Sequence, residues 1–191
     1  MRIVGGKWRG LEVCAPKGRQ TTRPTTDRNR ERFASMILSA AGLDLSGVRV
    51  LDAFAGSGAM GFELVSRGAA SATFVDQDRA ALACIRRTAA GLKAEAGEWR
   101  CVAGDSVALA QSGRVPGGPF GVVFLDPPYA LGADEVAALV EGLRAHGQLA
   151  GGAIVVYERS AKAPGISSEA LELVKSKTQG ITAVDLMIAR N

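Results

Sequence analysis

The stretch VRVLDAFAGSGAMG, residues 48–61, decides the fold that the sequence predicts. Its first half is a mainly apolar run, which is typical of a buried strand. Three glycines follow at the spacing Gly56-x-Gly58-x-x-Gly61, where the strand turns into a helix. Glycines let the backbone approach a ligand closely, and the N–H groups at a helix start can hold an anionic group. The same spacing occurs in dinucleotide-binding loops, so this stretch alone does not identify the ligand.

Strands and helices alternate on the carboxyl side of this stretch. After the strand at 48–54, further strands are predicted at 72–75, 99–103, 120–125, 153–157, 171–175 and 183–188. Helices are predicted between them at 60–67, 79–92, 105–111 and 134–144. This alternation predicts an α/β fold with a doubly wound, seven-stranded, mostly parallel sheet, which the last two strands close as a hairpin.

Polar residues and glycines follow the first three predicted strands. Because ligands of open α/β sheets bind at the carboxyl ends of the strands, these residues are candidates for cofactor binding. They are Asp52, Phe54, Ala55, Gly56 and Gly58 after the first strand, Asp76 and Gln77 after the second, and Gly104, Asp105 and Ser106 after the third. The carboxylate of Asp76 can accept hydrogen bonds from both hydroxyls of a ribose, whereas Asp78 is placed to cap the next helix.

The fourth strand ends in Asp126-Pro127-Pro128-Tyr129, and these four residues are the catalytic candidates. Two prolines cannot continue a strand ladder, and they form a rigid corner at its carboxyl end. The Asp126 carboxylate and the Pro127 carbonyl can accept N–H bonds from an exocyclic amine of a base, which stabilises the charge that grows when the nitrogen attacks. The ring of Tyr129 can stack on the base. Alternatively, the prolines only end the strand.

Positive charge is concentrated at the start of the chain. Residues 1–32 contain nine basic and three acidic side chains, a net charge of +6, whereas the whole chain carries +4. A basic arm on a mildly acidic body predicts a polyanionic partner.

Residues 1–26 are predicted to form a basic extension, and residues 27–191 the α/β domain. The segments 2–4 and 11–14 predict a β-hairpin, and a helix is predicted at 27–41. Residues of the hairpin tip, the loop and the helix start are candidates for contact with the partner: Lys7, Trp8, Arg9, Arg23, Arg28 and Arg30. Trp8 either stacks on a base or packs beneath the hairpin.

Several classes of protein are disfavoured by composition. The 191 residues are 47% apolar, enough for one domain, and no apolar run reaches the length of a membrane span. Three cysteines without a C-x-x-C pair and a single histidine give no disulfide framework and no metal site. We therefore expect a soluble, cytoplasmic protein without metal, and a monomer.

Two features favour S-adenosylmethionine (SAM) over a nicotinamide cofactor. Asp52 lies four residues before the first glycine, and it matches the acidic residue that opens the cofactor motif of SAM-dependent methyltransferases. A dehydrogenase would leave the Asp-Pro-Pro-Tyr sequence unexplained. With RIVGGKWRG at 2–10 and RPTTDR at 23–28, the chain resembles the bacterial family that methylates N2 of guanine 966 in 16S ribosomal RNA.

This resemblance implies a Rossmann-like methyltransferase domain that binds SAM and modifies 16S ribosomal RNA in the small subunit or in an assembly intermediate. It also implies roles for single residues: Asp52 faces the methionine part of SAM, and Gly104-Asp105-Ser106 contacts its adenine. In one departure, Asp76 stands where the family usually has Glu, which keeps the carboxylate but shortens its reach.

Other functions remain open from the sequence. An N6-adenine methyltransferase of RNA or DNA would use the same corner, since both bases carry exocyclic amines. A non-catalytic RNA-binding or ribosome assembly factor could keep the fold, although its intact motifs argue against that. A glutamine methyltransferase, which usually has Asn at the first position of the corner, and an NAD-dependent dehydrogenase are weaker alternatives.

Overall fold

The computed structural model of the chain describes residues 1–15 and 27–190. Most of the loop predicted between the N-terminal segment and the first helix, including Arg23, lies outside the described residues.

A seven-stranded sheet organises the described residues. Its strands are β1 (Arg49–Asp52), β2 (Ser71–Asp76), β3 (Trp99–Ala103), β4 (Phe120–Leu125), β5 (Leu149–Ser160), β6 (Leu171–Gln179) and β7 (Thr182–Ala189). Their order is β3-β2-β1-β4-β5-β7-β6, and the first five run parallel. Strand β7 is antiparallel to both β5 and β6. The predicted doubly wound, mostly parallel sheet with a closing hairpin is confirmed.

Helices cover both faces of the sheet. They are α1 (Asp27–Ala40), α2 (Ala59–Ser66), α3 (Arg79–Leu92), α4 (Ser106–Gln111) and α5 (Ala133–Ala145). Apolar residues of α1, α2 and α3 pack on one face of the sheet together with Ile3, Trp8 and Val13 of the N-terminal segment. Residues of α4 and α5 pack on the other face. The strands alternate between the two cores, because successive side chains of a strand point to opposite faces.

Two strands are longer than their apolar runs predict. Strand β5 continues past Tyr157 through three polar residues, because Glu158, Arg159 and Ser160 pair with β7. Most of β6 is exposed and forms the edge of the sheet. In both cases the partner strand β7, and not hydrophobic burial, fixes the extended backbone.

The N-terminal segment forms a short antiparallel hairpin, as predicted, with a helical turn at its tip. Its two arms pair at the bridge of Arg2 with Glu12, the Ile3 N–H donates to the Leu11 carbonyl oxygen and the Val13 N–H to that of Met1, and residues Gly6–Trp8 form one turn of 3₁₀ helix. Gly6 has a φ of +75°, and a Cβ atom there would lie 1.8 Å from the carbonyl oxygen of Ser66. The close approach to α2 therefore shapes this turn, which no pattern within residues 1–15 could indicate.

Side chains of α2 and α3 anchor the segment. The Glu63 carboxylate accepts hydrogen bonds from the backbone N–H groups of Val4 and Gly5, each at 2.8 Å. At the far end, the backbone N–H of Cys14 donates to Thr88 Oγ1, and the sulfur atoms of Cys14 and Cys84 lie 2.6 Å apart. The N-terminal segment is thus part of the larger core and not a detached arm.

Within the described residues, no helix is both long and apolar enough to cross a membrane. The same part of the chain places no group of three or more His, Cys, Asp or Glu side chains where it could hold a metal ion.

Candidate active site

Three aspartates from neighbouring strands meet at the carboxyl edge of the sheet. Asp52 ends β1 and is paired with Phe74 of β2 and with Phe124 of β4. Asp76 and Asp126 each lie two residues beyond these partners, so all three side chains point to the same face. The structure therefore brings together Asp52, Asp76 and Asp126, which lie far apart in the sequence.

The pKa values of two of these carboxyl groups are raised. Burial raises the pKa of Asp52 to about 8, and the negative charges of Asp126 and Asp76 add to this, while a hydrogen bond from the Gly61 N–H opposes it. Burial raises the pKa of Asp126 to about 6. The edge thus concentrates acidic groups that lack a cation partner among the described residues, which suits a positively charged ligand.

The glycine loop after β1 places backbone against these carboxylates. The Gly56 N–H donates to Asp76 Oδ2 at 2.7 Å, and the Gly61 N–H donates to Asp52 Oδ2 at 3.0 Å. At Gly61 a Cβ atom would lie 2.3 Å from the ring of Phe74, so this glycine lets α2 approach the sheet. At Gly56 a Cβ atom would meet nothing within 4 Å, so this stretch of backbone stays open to a ligand.

The second strand ends as predicted in a hydrogen-bonded turn. Asp76 Oδ1 accepts from the Asp78 N–H at 2.8 Å, and Asp78 in turn caps α3 by accepting from the Ala80 N–H at 2.8 Å. Each oxygen of Asp76 accepts one backbone N–H and keeps a second lone pair. The backbone therefore orients Asp76, and its remaining lone pairs are suited to a pair of vicinal hydroxyls.

The turn after β3 forms a capped helix start. Asp105 accepts from the N–H groups of Val107 and Ala108 at 2.8 and 3.1 Å, and Gln77 Nε2 donates to its other oxygen at 3.1 Å. The hydroxyl of Ser106 is buried and donates to the carbonyl oxygen of Ala53. Ser106 thus ties this turn to the end of β1, and its hydroxyl is already engaged within the protein.

The Asp126-Tyr129 corner borders a cavity of about 350 Å³. Pro127, Pro128 and Tyr129 form one wall of this cavity, and the ring of Tyr129 is 70% exposed. The Leu131 N–H donates to the Pro128 carbonyl oxygen at 2.9 Å, which closes the turn after the corner. The arrangement presents an accessible aromatic face beside a half-buried carboxylate.

A family model described as Conserved hypothetical protein 95 matches residues 1–188. The chain belongs to the Conserved hypothetical protein 95 family.

Relatives in this family include curated methyltransferases. Ribosomal RNA small subunit methyltransferase D of Escherichia coli K12 is 38% identical over 160 residues, which cover 83% of this chain and 74% of the relative. The protein of the same name from Haemophilus influenzae is 32% identical over 189 residues, which cover 97% of this chain and 92% of the relative. The resemblance of the sequence motifs to small-subunit ribosomal RNA methyltransferases is confirmed.

Solved structures give the same fold. The Escherichia coli protein yhhF superposes with a TM-score of 0.79 at 33% identity, over 100% of this chain and 98% of that one. Magnesium protoporphyrin IX methyltransferase of Synechocystis, solved with bound S-adenosylhomocysteine, has a TM-score of 0.65 at 17% identity over 86% of this chain and 83% of its own. The fold of this family member is therefore that of the Rossmann-like SAM-dependent methyltransferases.

Trp8 corrects one expectation from the sequence. Its side chain is 6% exposed, and its ring packs edge-on against Phe62 with the centroids 6.2 Å apart. A buried ring cannot stack on a nucleic acid base, so stacking by Trp8 is wrong and its packing beneath the turn is what the structure shows.

Arg30 corrects a second expectation. It is 0% exposed, and its Nη2 donates to the Arg2 carbonyl oxygen at 2.5 Å and to Asp27 Oδ1 at 2.6 Å. The guanidinium holds α1 to the N-terminal segment and cannot reach an external phosphate. Among the other predicted contacts, Arg9 and Arg28 are exposed, whereas Lys7 forms an ion pair with Glu98.

The cavity residues that sequence reasoning missed include Tyr157, Arg159, Ser160 and Ile181. They come from the end of β5 and from the turn between β6 and β7. One sequence signal was a polar run directly after the apolar part of β5, at the carboxyl edge where ligands bind. A second sequence signal for the cavity was Ile181, an apolar residue at a turn.

Proposed function

We propose that this chain is a SAM-dependent methyltransferase that transfers a methyl group to the exocyclic N2 amine of a guanine in 16S ribosomal RNA. The observation that carries the proposal is the Asp126-Pro127-Pro128-Tyr129 corner, placed beside the acidic carboxyl edge of a methyltransferase fold. The names of the relatives support a ribosomal RNA substrate. The family resemblance of the sequence supports guanine N2.

The three aspartates fit the groups of SAM. Asp52 and Asp126 have raised pKa values, and a ligand with a sulfonium and an ammonium group would stabilise their ionised forms. Asp76, oriented by the Gly56 N–H, would accept the ribose hydroxyls. The open backbone at Gly56 leaves room for close contact. The methyltransferase neighbours solved with S-adenosylhomocysteine or SAM support this cofactor.

The corner residues would act on the amine. When bound, SAM supplies an electrophilic methyl group on a positively charged sulfur. Asp126 and the Pro127 carbonyl would accept the two N–H bonds of the amine, which directs the nitrogen lone pair toward the methyl carbon. Tyr129, whose ring is exposed, would stack on a base turned out of its surroundings, a contact worth about 1–3 kcal/mol.

Asp126 is also placed to handle the proton that the reaction releases. After transfer the nitrogen carries a positive charge and must lose one N–H proton. A carboxylate with a pKa raised to about 6 is a better proton acceptor than an ordinary aspartate, yet it is mostly ionised at neutral pH. No metal ion or covalent enzyme intermediate is needed for an in-line displacement of this kind.

The exposed basic residues of the N-terminal segment and of the start of α1 would hold the RNA. Arg9 and Arg28 are exposed, and Lys7 lies at the surface beside Glu98. Phosphate contacts by such residues are not specific for sequence, and they position the polymer so that one base can reach the corner.

The proposal is tested with small ribosomal subunits and naked 16S ribosomal RNA from cells that lack this protein. Each is incubated with labelled SAM and the protein, then digested, and the nucleosides are identified by mass spectrometry. We expect a single N2-methylguanosine, absent with Asp126→Ala. N6-methyladenosine would instead support an adenine methyltransferase, and binding of SAM without any methylated nucleoside would support a non-catalytic factor.

A further inference from the structure

The cavity beside the catalytic corner has the character of a base-binding pocket. Its volume of about 350 Å³ lies in the range of small-molecule pockets, about 300–1,000 Å³. Tyr129 and Ile181 line it and are 70% and 66% exposed, although both are large and apolar. Exposed apolar groups that flank a cavity mark a binding site, and here they offer two faces to a flat ligand.

Arg159 stands at the edge of this cavity that adjoins the corner. Leu125 of β4 is paired with Tyr157 of β5 in the parallel register. Pro127 and Arg159 each lie two residues beyond this pair, and both line the cavity. A base that presents its amine to the corner would therefore lie within reach of the Arg159 side chain.

The guanidinium of Arg159 is held in one orientation. Its Nε donates to Asp185 Oδ2 at 2.7 Å, and its Nη2 donates to Asp185 Oδ1 at 3.3 Å. Its Nη1 donates to the carbonyl oxygens of Ala163 and Ser160 at 2.5 and 3.4 Å. Of the five N–H donors that an arginine carries, these bonds engage four, which leaves one on Nη2 among the contacts of the described residues.

Asp185 is itself fixed. It is buried on β7, and Ser176 Oγ of the neighbouring strand β6 donates to its Oδ1 at 2.5 Å. The pair therefore spans β5, β7 and β6 at one end of the sheet. A guanidinium ordered in advance loses little conformational entropy when it binds a further acceptor.

The edges of the two purines differ where such a donor would act. Guanine carries an O6 acceptor on the opposite side of N1 from its N2 amine, whereas adenine carries an N6 amine that donates. An arginine has donors only, so it can bond to O6 and is repelled by an amine in that position.

We propose that Arg159, oriented by Asp185, donates to O6 of the target base and thereby selects guanine over adenine. This inference rests on the proposed function, since it assigns the base specificity of the same reaction. Asp126 and the Pro127 carbonyl would read the N2 amine as a donor, and Arg159 would read O6 as an acceptor. Binding to all three groups requires a base with an amine donor at the N2 position and an acceptor at the O6 position, and adenine lacks this combination.

The test uses RNA substrates in which only the target base is changed. They contain guanine, 2-aminopurine, which keeps the N2 amine and lacks O6, or 2,6-diaminopurine, which replaces O6 by an amine. For each enzyme, kcat/KM is measured on all three RNAs. The ratio between two substrates does not depend on the fraction of active protein, so a purely structural role of Arg159 would leave it unchanged.

The wild-type protein should prefer guanine over 2,6-diaminopurine by about tenfold or more. In Arg159→Met, kcat/KM on guanine should fall and the penalty on 2,6-diaminopurine should be relieved, so that this ratio comes close to one, while the rate on 2-aminopurine changes little. Arg159→Lys keeps a positive charge beside Asp185 and should retain part of the preference if Arg159→Met does not fold. The matched control is Arg49→Gln, an exposed arginine at the opposite end of β1, which should keep the wild-type ratio.

An unchanged ratio in both Arg159 variants would overturn the inference and leave the proposed function intact. Failure of the wild-type protein to methylate any guanine would overturn the proposed function itself, and it would be seen before any variant is compared.

Discussion

The carboxylates of Asp52 and Asp126 face the same side of the sheet from the ends of two neighbouring strands, β1 and β4. Burial raises the pKa of both, and the charge of Asp126 raises that of Asp52 further. Two buried acidic groups arranged in this way lower the stability of the folded protein without ligand, and they raise its affinity for a cationic ligand. The same two residues begin the proposed cofactor motif and the proposed catalytic corner, so under the proposed function this arrangement would couple cofactor binding to catalysis.

Binding of SAM should release protons at pH 7. Asp52, with a pKa of about 8, is mainly protonated there, and a cationic ligand favours its ionised form. Titration calorimetry at pH 7 in buffers of different ionisation enthalpy should show a binding enthalpy that varies with the buffer, with up to about one proton released. Asp52→Asn should reduce this release. A binding enthalpy independent of the buffer would contradict the prediction.

The titration of Asp52 should make the free energy of unfolding depend on pH. Its pKa in the folded protein is raised above the value in the unfolded chain, so the folded state holds a proton that the unfolded chain has lost between pH 4 and 8. The free energy of unfolding should therefore decline as pH rises through this window, since one unit of pKa shift is worth about 1.4 kcal/mol.

Asp52→Asn removes this titration, and urea denaturation of the ligand-free protein at pH 5 and pH 8 measures its effect. The variant should gain stability relative to the wild type as pH rises, by at least about 1.4 kcal/mol. Asp134→Asn, at an exposed position on α5, is the control and should follow the wild type. A constant difference between Asp52→Asn and the wild type at the two pH values would mean that Asp52 does not titrate in this window.

Asp126→Ala should separate catalysis from cofactor binding. Loss of a preorganised group that stabilises charge in the transition state typically lowers kcat about 100- to 1,000-fold. The SAM affinity, measured by calorimetry, should fall far less than kcat, because only one of the acidic groups is lost while Asp52, Asp76 and the glycine loop remain. Equal losses of transfer and of SAM binding would mean that Asp126 serves the cofactor or the fold instead.

The sequence predicted the parallel part of the sheet well because its strands are continuous apolar runs. Strand β4 has the predicted bounds, as do α3 and β3. The candidate site residues that follow the first four strands also lie at one edge of the sheet as expected, since topology alone brings the carboxyl ends of neighbouring parallel strands together. Here local pattern and global fold agree.

Long-range contacts set the limits of sequence reasoning. Tryptophan and arginine are residue types that often contact RNA. In this fold, however, the Trp8 ring packs against Phe62, and Arg30 is buried where it bonds to Asp27 and to the Arg2 carbonyl oxygen. Arg159 became a site candidate only because β7 inserts between β5 and β6 and brings Asp185 beside it. The burial of Trp8 and Arg30 has no signal in the local sequence, and the polar run after the apolar part of β5 was the only local signal for Arg159, because both outcomes depend on partners from distant parts of the chain.

The exposed arginines Arg9, in the N-terminal segment, and Arg28, at the start of α1, should control the salt dependence of RNA binding. In Arg9→Gln/Arg28→Gln, the slope of log affinity against log salt should fall by about 0.7–0.9 for each phosphate that the variant no longer neutralises. Filter binding or fluorescence anisotropy across a range of salt concentrations measures this slope. The control Arg114→Gln/Arg144→Gln removes two exposed arginines elsewhere and should keep it. If both double variants have the wild-type slope, Arg9 and Arg28 do not bind phosphates.

Glu63→Gln should detach the N-terminal segment from α2. The buried Glu63 carboxylate accepts from the Val4 and Gly5 N–H groups and from Arg67 Nε at 2.8 Å, and Arg30 Nε lies 3.9 Å away. Removing its charge leaves the buried Arg30 without its nearest carboxylate on α2, and loss of one partner of a buried pair typically costs about 3–5 kcal/mol.

Glu98→Gln is the matched control for this prediction, because Glu98 also pairs with a cation of the N-terminal segment, Lys7, but at the surface. An exposed pair contributes about 0–1 kcal/mol, so this variant should unfold in urea close to the wild type. Proteolysis under native conditions should cut the first 15 residues faster in Glu63→Gln than in Glu98→Gln. If the two variants lost equal stability, the N-terminal segment would be held by its apolar contacts, from Ile3, Trp8 and Val13, and not by the buried carboxylate.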